Sequence, residues 1–470
     1  MQFDAAGSLP DLFEQRIAIV GAGPTGLGAA CRLVELGLPN FTVFERERHP
    51  GGLASSFRDE AGFTWDVGGH VQFSHYGLFD RAMDRAMGDE WLFHEREAWI
   101  WIRERFVPYP LQNNVHFLPD REKRACILGL LRLRAGDRAA PADFEQWIRA
   151  RFGDGLAETF MLPYNAKVWA YPPRDLAFDW VADRVAEVDL ERVVLNLIDG
   201  KADVSWGPNN RFRFPARGGT GEIWRRVATA LPPGTVRYGA AVSRIDLDGR
   251  RLWLDDGSRE EYDVLLSTMP LDVLATLTDR LPLAAAASGL RYSTVHVFGV
   301  GIAGSPPAAL ARKCWIYFPE ASSPYYRLTV FSNYSPHNVP DASRFWSVMV
   351  EVSESPQKPV DRERLPDAVL EGLMATHVIA STREVVSVWQ HTADHGYPTP
   401  FLGRDRLVTP LLQELERHGV FSRGRFGAWK YEVSNQDHCF MQGVEFVDRL
   451  AHGAEETTLA RPDVVNARRR

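Results

Sequence analysis

Cysteine is scarce. The 470-residue chain holds 4 (Cys31, Cys126, Cys314 and Cys439), none in a C-x-x-C pair and none near a His at metal-ligand spacing. That excludes a disulfide scaffold and favours a reducing compartment. Long apolar runs are also missing: no uncharged stretch reaches the roughly 18 residues a bilayer span needs. Met1 to Glu14 lacks a basic region followed by an apolar one, so no signal peptide is expected and the cytoplasm is the expected location. A basic excess is missing too. Lys plus Arg is 54 against 61 Asp plus Glu, a net charge of −7, which argues against a nucleic-acid binder. Internal repeats and low-complexity segments are absent.

What is present fits an ordinary globular enzyme. Apolar residues make up 45% and charged residues 24%, excluding wholesale disorder, and the length allows about three domains at roughly 150 residues each. Arg16-Ile-Ala-Ile-Val20 is a short apolar run of the kind buried on both faces of a parallel sheet. Gly21-Ala-Gly23-Pro-Thr-Gly26 follows it, then an amphipathic stretch from Leu27 to Leu36 and a second strand, Phe41 to Phe44, ending at Glu45. This is a dinucleotide fingerprint in strand–loop–helix–strand context, with an acid about 20 residues on. Gly21 permits the tight turn, Gly23 lets the backbone approach a pyrophosphate, and Gly26 lets helix and strand pack. The helix N-terminus offers unpaired N–H groups to the phosphates, and Glu45 can accept from ribose hydroxyls. Arg46, Gly51-Gly52 and Asp66-Val-Gly-Gly-His70 come soon after. A second Gly-Gly turn just beyond the acid favours FAD over NAD.

Further along, Glu95 to Val107 alternates like strands, with Trp99 and Trp101 on one face, until Pro108-Tyr-Pro110 breaks the pattern. From Arg121 to Asn196 the apolar spacing turns helical. Thr235 to Ser267 returns to short strands with an Asp256-Gly257 hairpin signal, and Tyr262 to Pro270 reads as a strand re-entering the nucleotide sheet. Val295–Val300, Trp315–Phe318, Tyr326–Phe331 and Trp346–Val352 suggest one antiparallel sheet, and Asn435 to Gly453 a closing helix. The expected fold class is α/β: a discontinuous Rossmann-type FAD-binding domain with an inserted helical lobe and an antiparallel β-sheet lobe. The FAD-binding domain takes 14–90, 205–290 and 421–466, and the helical substrate lobe takes 121–204. The sheet lobe takes 291–420, with 91–120 supplying sheet strands and the connection to the helical lobe.

Several long blocks carry a family resemblance. Val67-Gly-Gly-His-Val-Gln-Phe-Ser-His-Tyr76, Phe106-Val-Pro-Tyr-Pro-Leu-Gln-Asn-Asn114, Leu162-Pro-Tyr-Asn-Ala-Lys-Val-Trp169 and Arg211-Phe-Arg-Phe-Pro-Ala-Arg-Gly-Gly-Thr-Gly221 are four of them. Lys313-Cys-Trp-Ile-Tyr-Phe-Pro-Glu320 and the stretch from Ser422 to His438 are two more. In this order they resemble UDP-galactopyranose mutase of the eukaryotic (fungal) type, in the FAD-dependent amine oxidase-like superfamily, from about Arg16 to about Asn466. The resemblance implies interconversion of UDP-galactopyranose and UDP-galactofuranose without net redox. Reduced FAD N5 serves as nucleophile toward the anomeric carbon, with NADPH or NADH as reductant.

The resemblance also implies roles. Arg327 and Arg425 take the pyrophosphate, for which a forked, permanently charged donor is suited, and Arg184 lies near the substrate. Tyr317, Tyr397 and Tyr431 contact phosphate; Tyr109 and Gln112 form the uridine pocket; Phe160, Asn165, Trp169 and Asn209 lie near nucleotide and sugar. Asn435 and Gln436 meet the flavin at the start of the last helix, whose dipole favours an anionic reduced ring. Gly69 and Val242 are placed with the cofactor in the same way. His70 is expected to poise the flavin rather than act as a general base. His75, His395 and His438 are read as structural, Met161 and Trp147 as core, and Cys439, where the family has Ser, as packing. Leu111 departs from a Phe beside the uracil, and Ala98 from a Ser near Arg96 in the stretch linked to NADPH docking. The alternatives are a mutase for another nucleotide hexose, a flavin amine oxidase, and an idle nucleotide-sugar-binding protein.

Overall fold

Ile17–Val20 lies at the centre of a five-stranded parallel sheet. The computed structural model describes residues 9–134, 140–181, 185–186, 188–204 and 210–467. Phe41–Glu45 and Val264–Ser267 flank the central strand, with Val236–Tyr238 and Val420–Ser422 outermost. All of Ile17–Val20 is buried because the strand's period of two feeds two cores. Ile17 and Ile19 join Leu27, Leu33, Phe440 and Val444 on one face. Ala18 and Val20 join Leu265, Leu274, Leu411 and Trp429 on the other.

Helix Pro24–Glu35 follows the glycine turn, and helix Gln436–His452 crosses it with backbone against backbone. A Cβ on Gly28 would lie 2.2 Å from the Phe440 carbonyl oxygen, and one on Gly443 would lie 2.0 Å from that of Thr25. The later helix begins after Asn435 and stops at Gly453, whose φ of +65° reverses the chain. Its limits were therefore legible in the sequence.

The helical lobe contains Asp120–Arg134, Phe144–Leu156, Leu162–Trp169 and Leu190–Asp199. Asp143 caps the second of these by accepting the Gln146 N–H at 2.8 Å. Gly153 (φ +71°) kinks that helix, and a π-helical turn, Ala157–Met161, then leads into Leu162–Trp169. The kink is fixed by the first helix, since a Cβ on Gly155 would lie 2.1 Å from the Ala125 carbonyl oxygen. Lys167 ties the lobe to the sheet beside it. Its Nζ donates to the carbonyls of Phe318 (3.0 Å) and Glu320 (2.7 Å), and burial lowers its pKa to about 7.

The large sheet has seven strands, in the order Val385–Pro398, Tyr292–Ala303, Phe345–Glu354, Arg327–Thr329, Trp315–Tyr317, Ala98–Ile102, Arg105–Pro108. It is antiparallel with one exception, the parallel pairing of Trp315–Tyr317 with Ala98–Ile102. Those strands lie far apart in the chain, so no hairpin dictates their direction. Glu95 ends a separate strand, Trp91–Glu95, which pairs with Arg211–Pro215 outside this sheet. The edge strand Val385–Pro398 was missed because its polar, His- and Gly-bearing sequence dilutes the strand pattern. No helix among the described residues is long and apolar enough to cross a membrane.

The contact at Gly443 predicts a reversal of sign. Ala normally stabilises a helix interior relative to Gly by about 1 kcal/mol, yet here overpacking should dominate at about 1–3 kcal/mol destabilising. Gly443→Ala should lower the unfolding midpoint followed by circular dichroism, together with the flavin content of the purified protein. A midpoint at or above wild type would contradict the backbone contact.

Candidate active site

The glycine turn builds a cradle at the end of the parallel sheet. Gly21 (φ +102°) donates its N–H to the Phe44 carbonyl, and Gly51 (φ +116°) donates to that of Ala22. A Cβ on Gly26 would sit 1.9 Å from the Gly21 oxygen, so that glycine is required by packing alone. Gly23 and Gly52 are different. A Cβ at either would meet only one atom beyond 3.6 Å, Gly51 O at 3.9 Å for Gly23 and Gly23 Cα at 3.7 Å for Gly52. The open space between these two turns suits a diphosphate lying against backbone. Helix Pro24–Glu35 starts there with no side-chain cap and no acid in its first turn, leaving its N–H groups to an anion. Glu45 is buried, which raises its pKa, and it accepts the N–H groups of Ala22 (2.7 Å) and Glu47 (2.9 Å). Arg46 is exposed and pairs with Glu47, and Val242 opens a short strand, half-buried against the second core. These residues fit the adenosine diphosphate half of FAD.

The loop from Val67 to Tyr76 leads away from this cradle and is held by carboxylates. Asp66 accepts the Thr220 N–H at 3.1 Å. Glu351 accepts the Gly69 N–H at 3.0 Å. Asp437 Oδ2 accepts from both the backbone N–H (3.0 Å) and the Nδ1 (2.7 Å) of His75, whose ring stacks on His438 at 4.9 Å. His395 likewise pairs with Asp272 and stacks on Tyr292. His70 differs: its buried Nδ1 has no hydrogen-bond partner among the described residues. Burial pushes its pKa down to about 4, with Glu351 opposing and Arg327 and Arg425 assisting, so the ring is neutral near pH 7.

Two arginines face this region in different states of charge compensation. Arg327 lies opposite Glu351 across two paired strands and donates to both carboxylate oxygens. Arg425 donates only to neutral atoms, the Gly396 carbonyl (3.0 Å), Ser434 Oγ (2.9 Å) and the Ser434 carbonyl. No carboxylate pairs with it among the described residues. Its guanidinium lies over the rings of Tyr397 (4.8 Å) and Tyr431 (5.9 Å), and Trp169 meets Tyr431 edge-on at 4.7 Å. A second aromatic series runs from Phe160 to Tyr164 (5.3 Å), Tyr317 (5.2 Å) and Tyr109 (5.1 Å). The Arg327 charge acts on Tyr164, Tyr317 and Tyr397, linking the two series.

Gln112 is buried and donates Nε2–H to the Ala186 carbonyl at 2.8 Å, leaving Oε1 buried without a partner among the described residues. Asn165 donates to the Met161 carbonyl across the π-helical turn. Asn435 precedes the last helix with its side chain unused as a cap, and Gln436 accepts the Trp224 indole N–H at 2.8 Å. Leu111 is fully buried in the helical-lobe core, Ala98 accepts the Tyr109 N–H, and the buried Cys439 thiol reaches the Ser434 carbonyl. Arg184 and Asn209 lie outside the described residues. Sequence reasoning missed Tyr164 and Glu351. The available signal for Glu351 was an acid inside Val348-Met-Val-Glu351-Val, where every neighbour is apolar.

Comparison with known proteins gives a family. Residues 24–443 match the flavin containing amine oxidoreductase family. A crystal structure of reduced UDP-galactopyranose mutase is 47% identical, with a TM-score of 0.94, over 97% of this chain and 98% of that one. A CLA-producing fatty acid isomerase from P. acnes is 16% identical with a TM-score of 0.64 over 93% of this chain and 99% of that one, which shows a shared fold alone. Among curated proteins, polyamine oxidase 1 of Oryza sativa subsp. japonica is 28% identical over 299 residues, 56% of this chain and 53% of that protein. The 4,4'-diapophytoene desaturase of Staphylococcus haemolyticus (strain JCSC1435) is 50% identical over 52 residues, 11% of this chain and 10% of that protein. The chain thus spans about half of one curated relative and a tenth of the other.

The neutral His70 has a consequence for stability. Its pKa is about 4 when folded, against about 6.5 for a free imidazole, so between these values the unfolded chain binds more protons. Stability from this group is complete above about pH 6.5 and declines as the pH falls toward about 4. Relative to His70→Gln, the wild type should lose roughly 1–3 kcal/mol of unfolding free energy between about pH 7 and about pH 4. Denaturant titrations at a series of pH values measure this, and a difference that stays constant with pH would show that His70 is not held neutral.

Proposed function

The chain belongs to the UDP-galactopyranose mutase family of flavin-containing amine oxidoreductases, and we propose that it interconverts the pyranose and furanose forms of UDP-galactose with no net redox. FAD would rest on Gly21, Gly23, Gly26, Glu45, Arg46, Gly51, Gly52, Gly69, Val242, Asn435 and Gln436. When bound and reduced, it supplies a nucleophilic nitrogen for the anomeric carbon. NADPH or NADH is the proposed reductant, near Arg96 and Ala98. The low cysteine count and lack of a basic excess support a cytoplasmic enzyme without a nucleic-acid partner.

The observation that carries the reading is Arg425, a cation held by neutral atoms over the rings of Tyr397 and Tyr431 and, with Arg327, close enough to act on His70. Breaking a glycosyl–phosphate bond makes a diphosphate leaving group, and an uncompensated guanidinium suits that charge. Arg327 and Arg425 hold the diphosphate in this scheme. Burial raises the pKa of Tyr317 and Tyr397, so these two stay protonated; together with Tyr431 they donate O–H to phosphate. Trp315 donates its indole N–H to the Tyr317 oxygen at 2.7 Å, leaving the phenolic proton for the ligand. At the far end, the Tyr109 ring stacks on the base and the partnerless Gln112 Oε1 accepts an N–H from its edge. Phe160, Asn165 and Trp169 line the path between base and sugar, and the family resemblance assigns Asn209 and Arg184 to the substrate as well. His70, neutral and next to the flavin, shapes that face without exchanging a proton.

Two outcomes test this. Ring interconversion of UDP-galactose, with products separated by ring form, should be negligible with oxidised FAD and should appear on adding dithionite; equal rates in both states would reject the mechanism. Removing a charged donor from a desolvated site costs on the order of 1.5–3 kcal/mol. Arg425→Ala should therefore weaken UDP binding, measured by calorimetry on the oxidised holoenzyme, by about 10- to 100-fold with FAD retained. Unchanged affinity would move the diphosphate elsewhere.

A further inference from the structure

Glu351 is an acid on an interior strand, Phe345–Glu354, with Val350 and Val352 fully buried on either side. A carboxylate in such a place is costly unless its lone pairs are occupied, and here they are. Oε1 accepts from Arg327 Nε (2.9 Å), Arg327 Nη2 (2.7 Å) and the Gly69 N–H (3.0 Å). Oε2 accepts from Arg327 Nη2 (2.8 Å) and the Tyr326 hydroxyl (2.6 Å). Arg327 Nη1 makes no hydrogen bond among the described residues. A guanidinium gripped along one edge cannot swing, and its remaining corner is aimed. Glu351 therefore touches both halves of the site at once, the turn beside His70 and the arginine assigned to the diphosphate.

We propose that Glu351 is a positioning residue of the mutase reaction, holding the Nε–Nη2 edge of Arg327 so that Nη1 meets the diphosphate, and fixing the Gly69–His70 turn through the same carboxylate. This rests on the function proposed above. Arg425 carries free positive charge to the diphosphate, whereas Arg327, neutralised by Glu351, contributes direction. Glu351→Gln tests the idea because the amide keeps the size and one acceptor but turns an NH2 toward the donors of Arg327.

The experiment is a UDP titration of oxidised, FAD-loaded protein, with flavin content and unfolding midpoint recorded for each variant. Glu351→Gln should retain FAD and raise the UDP dissociation constant about 10-fold, in line with an interaction to a charged group. The readout a merely structural role would not move is the double-mutant cycle. In an Arg327→Ala background, adding Glu351→Gln should change UDP affinity by no more than about twofold, within the usual error of such cycles. An unchanged dissociation constant in Glu351→Gln, or losses that simply multiply in the double variant, would overturn the proposal. If Glu351→Gln yields no flavin-loaded protein, Tyr326→Phe removes one donor to Oε2 and keeps the carboxylate. It should weaken UDP about 2- to 5-fold, the worth of one hydrogen bond, and only when Arg327 is present; no effect would again overturn the proposal. Failure of the wild type to bind UDP, or normal binding by Arg327→Ala, would instead reject the functional reading beneath it.

Discussion

The site depends on one short loop being held in place by buried carboxylates. Asp66 reaches the N-terminus of helix Thr220–Thr229, Glu351 takes the Gly69 N–H, and Asp437 takes His75. Each acid loses hydration on folding, and that loss is offset by backbone N–H groups, by an arginine or by an imidazole. The segment between them can then be irregular without being loose. Positive φ at Gly68 and a His70 Nδ1 with no hydrogen-bond partner among the described residues persist because the surroundings determine the loop from three directions.

The same economy of charge separates the two arginines. Arg327 is balanced by Glu351 before any ligand arrives, and Arg425 is not balanced by any carboxylate among the described residues. A site with two free guanidinium groups would repel itself and strain the fold, while one with both neutralised would attract a diphosphate weakly. One fixed and one uncompensated cation, beside tyrosines that burial keeps protonated, is an arrangement suited to an anion with aromatic walls next to it. The flavin-containing amine oxidoreductase scaffold supplies the nucleotide cradle. The helical lobe supplies Phe160, Tyr164 and Trp169, and its direction is set by backbone contact between Gly155 and Ala125.

The sequence by itself determined the parallel nucleotide sheet, its glycine turn, the helical lobe and the last helix. These follow from local periodicity, from glycine at positions where a Cβ would collide, and from helix-ending residues such as Gly453. It also brought forward Arg327, Arg425 and the tyrosines, through blocks of resemblance rather than through spacing. Tertiary structure alone decided the parallel pairing of Trp315–Tyr317 with Ala98–Ile102 and the long edge strand Val385–Pro398, because neither is dictated by a neighbouring turn or a clear alternation. It alone decided which arginine is neutralised. Glu351 lies 282 residues from Gly69 and 24 from Arg327, and no local pattern encodes that meeting. Charge balance at a site is a property of what the fold brings within hydrogen-bond distance, and only the folded chain sets that distance.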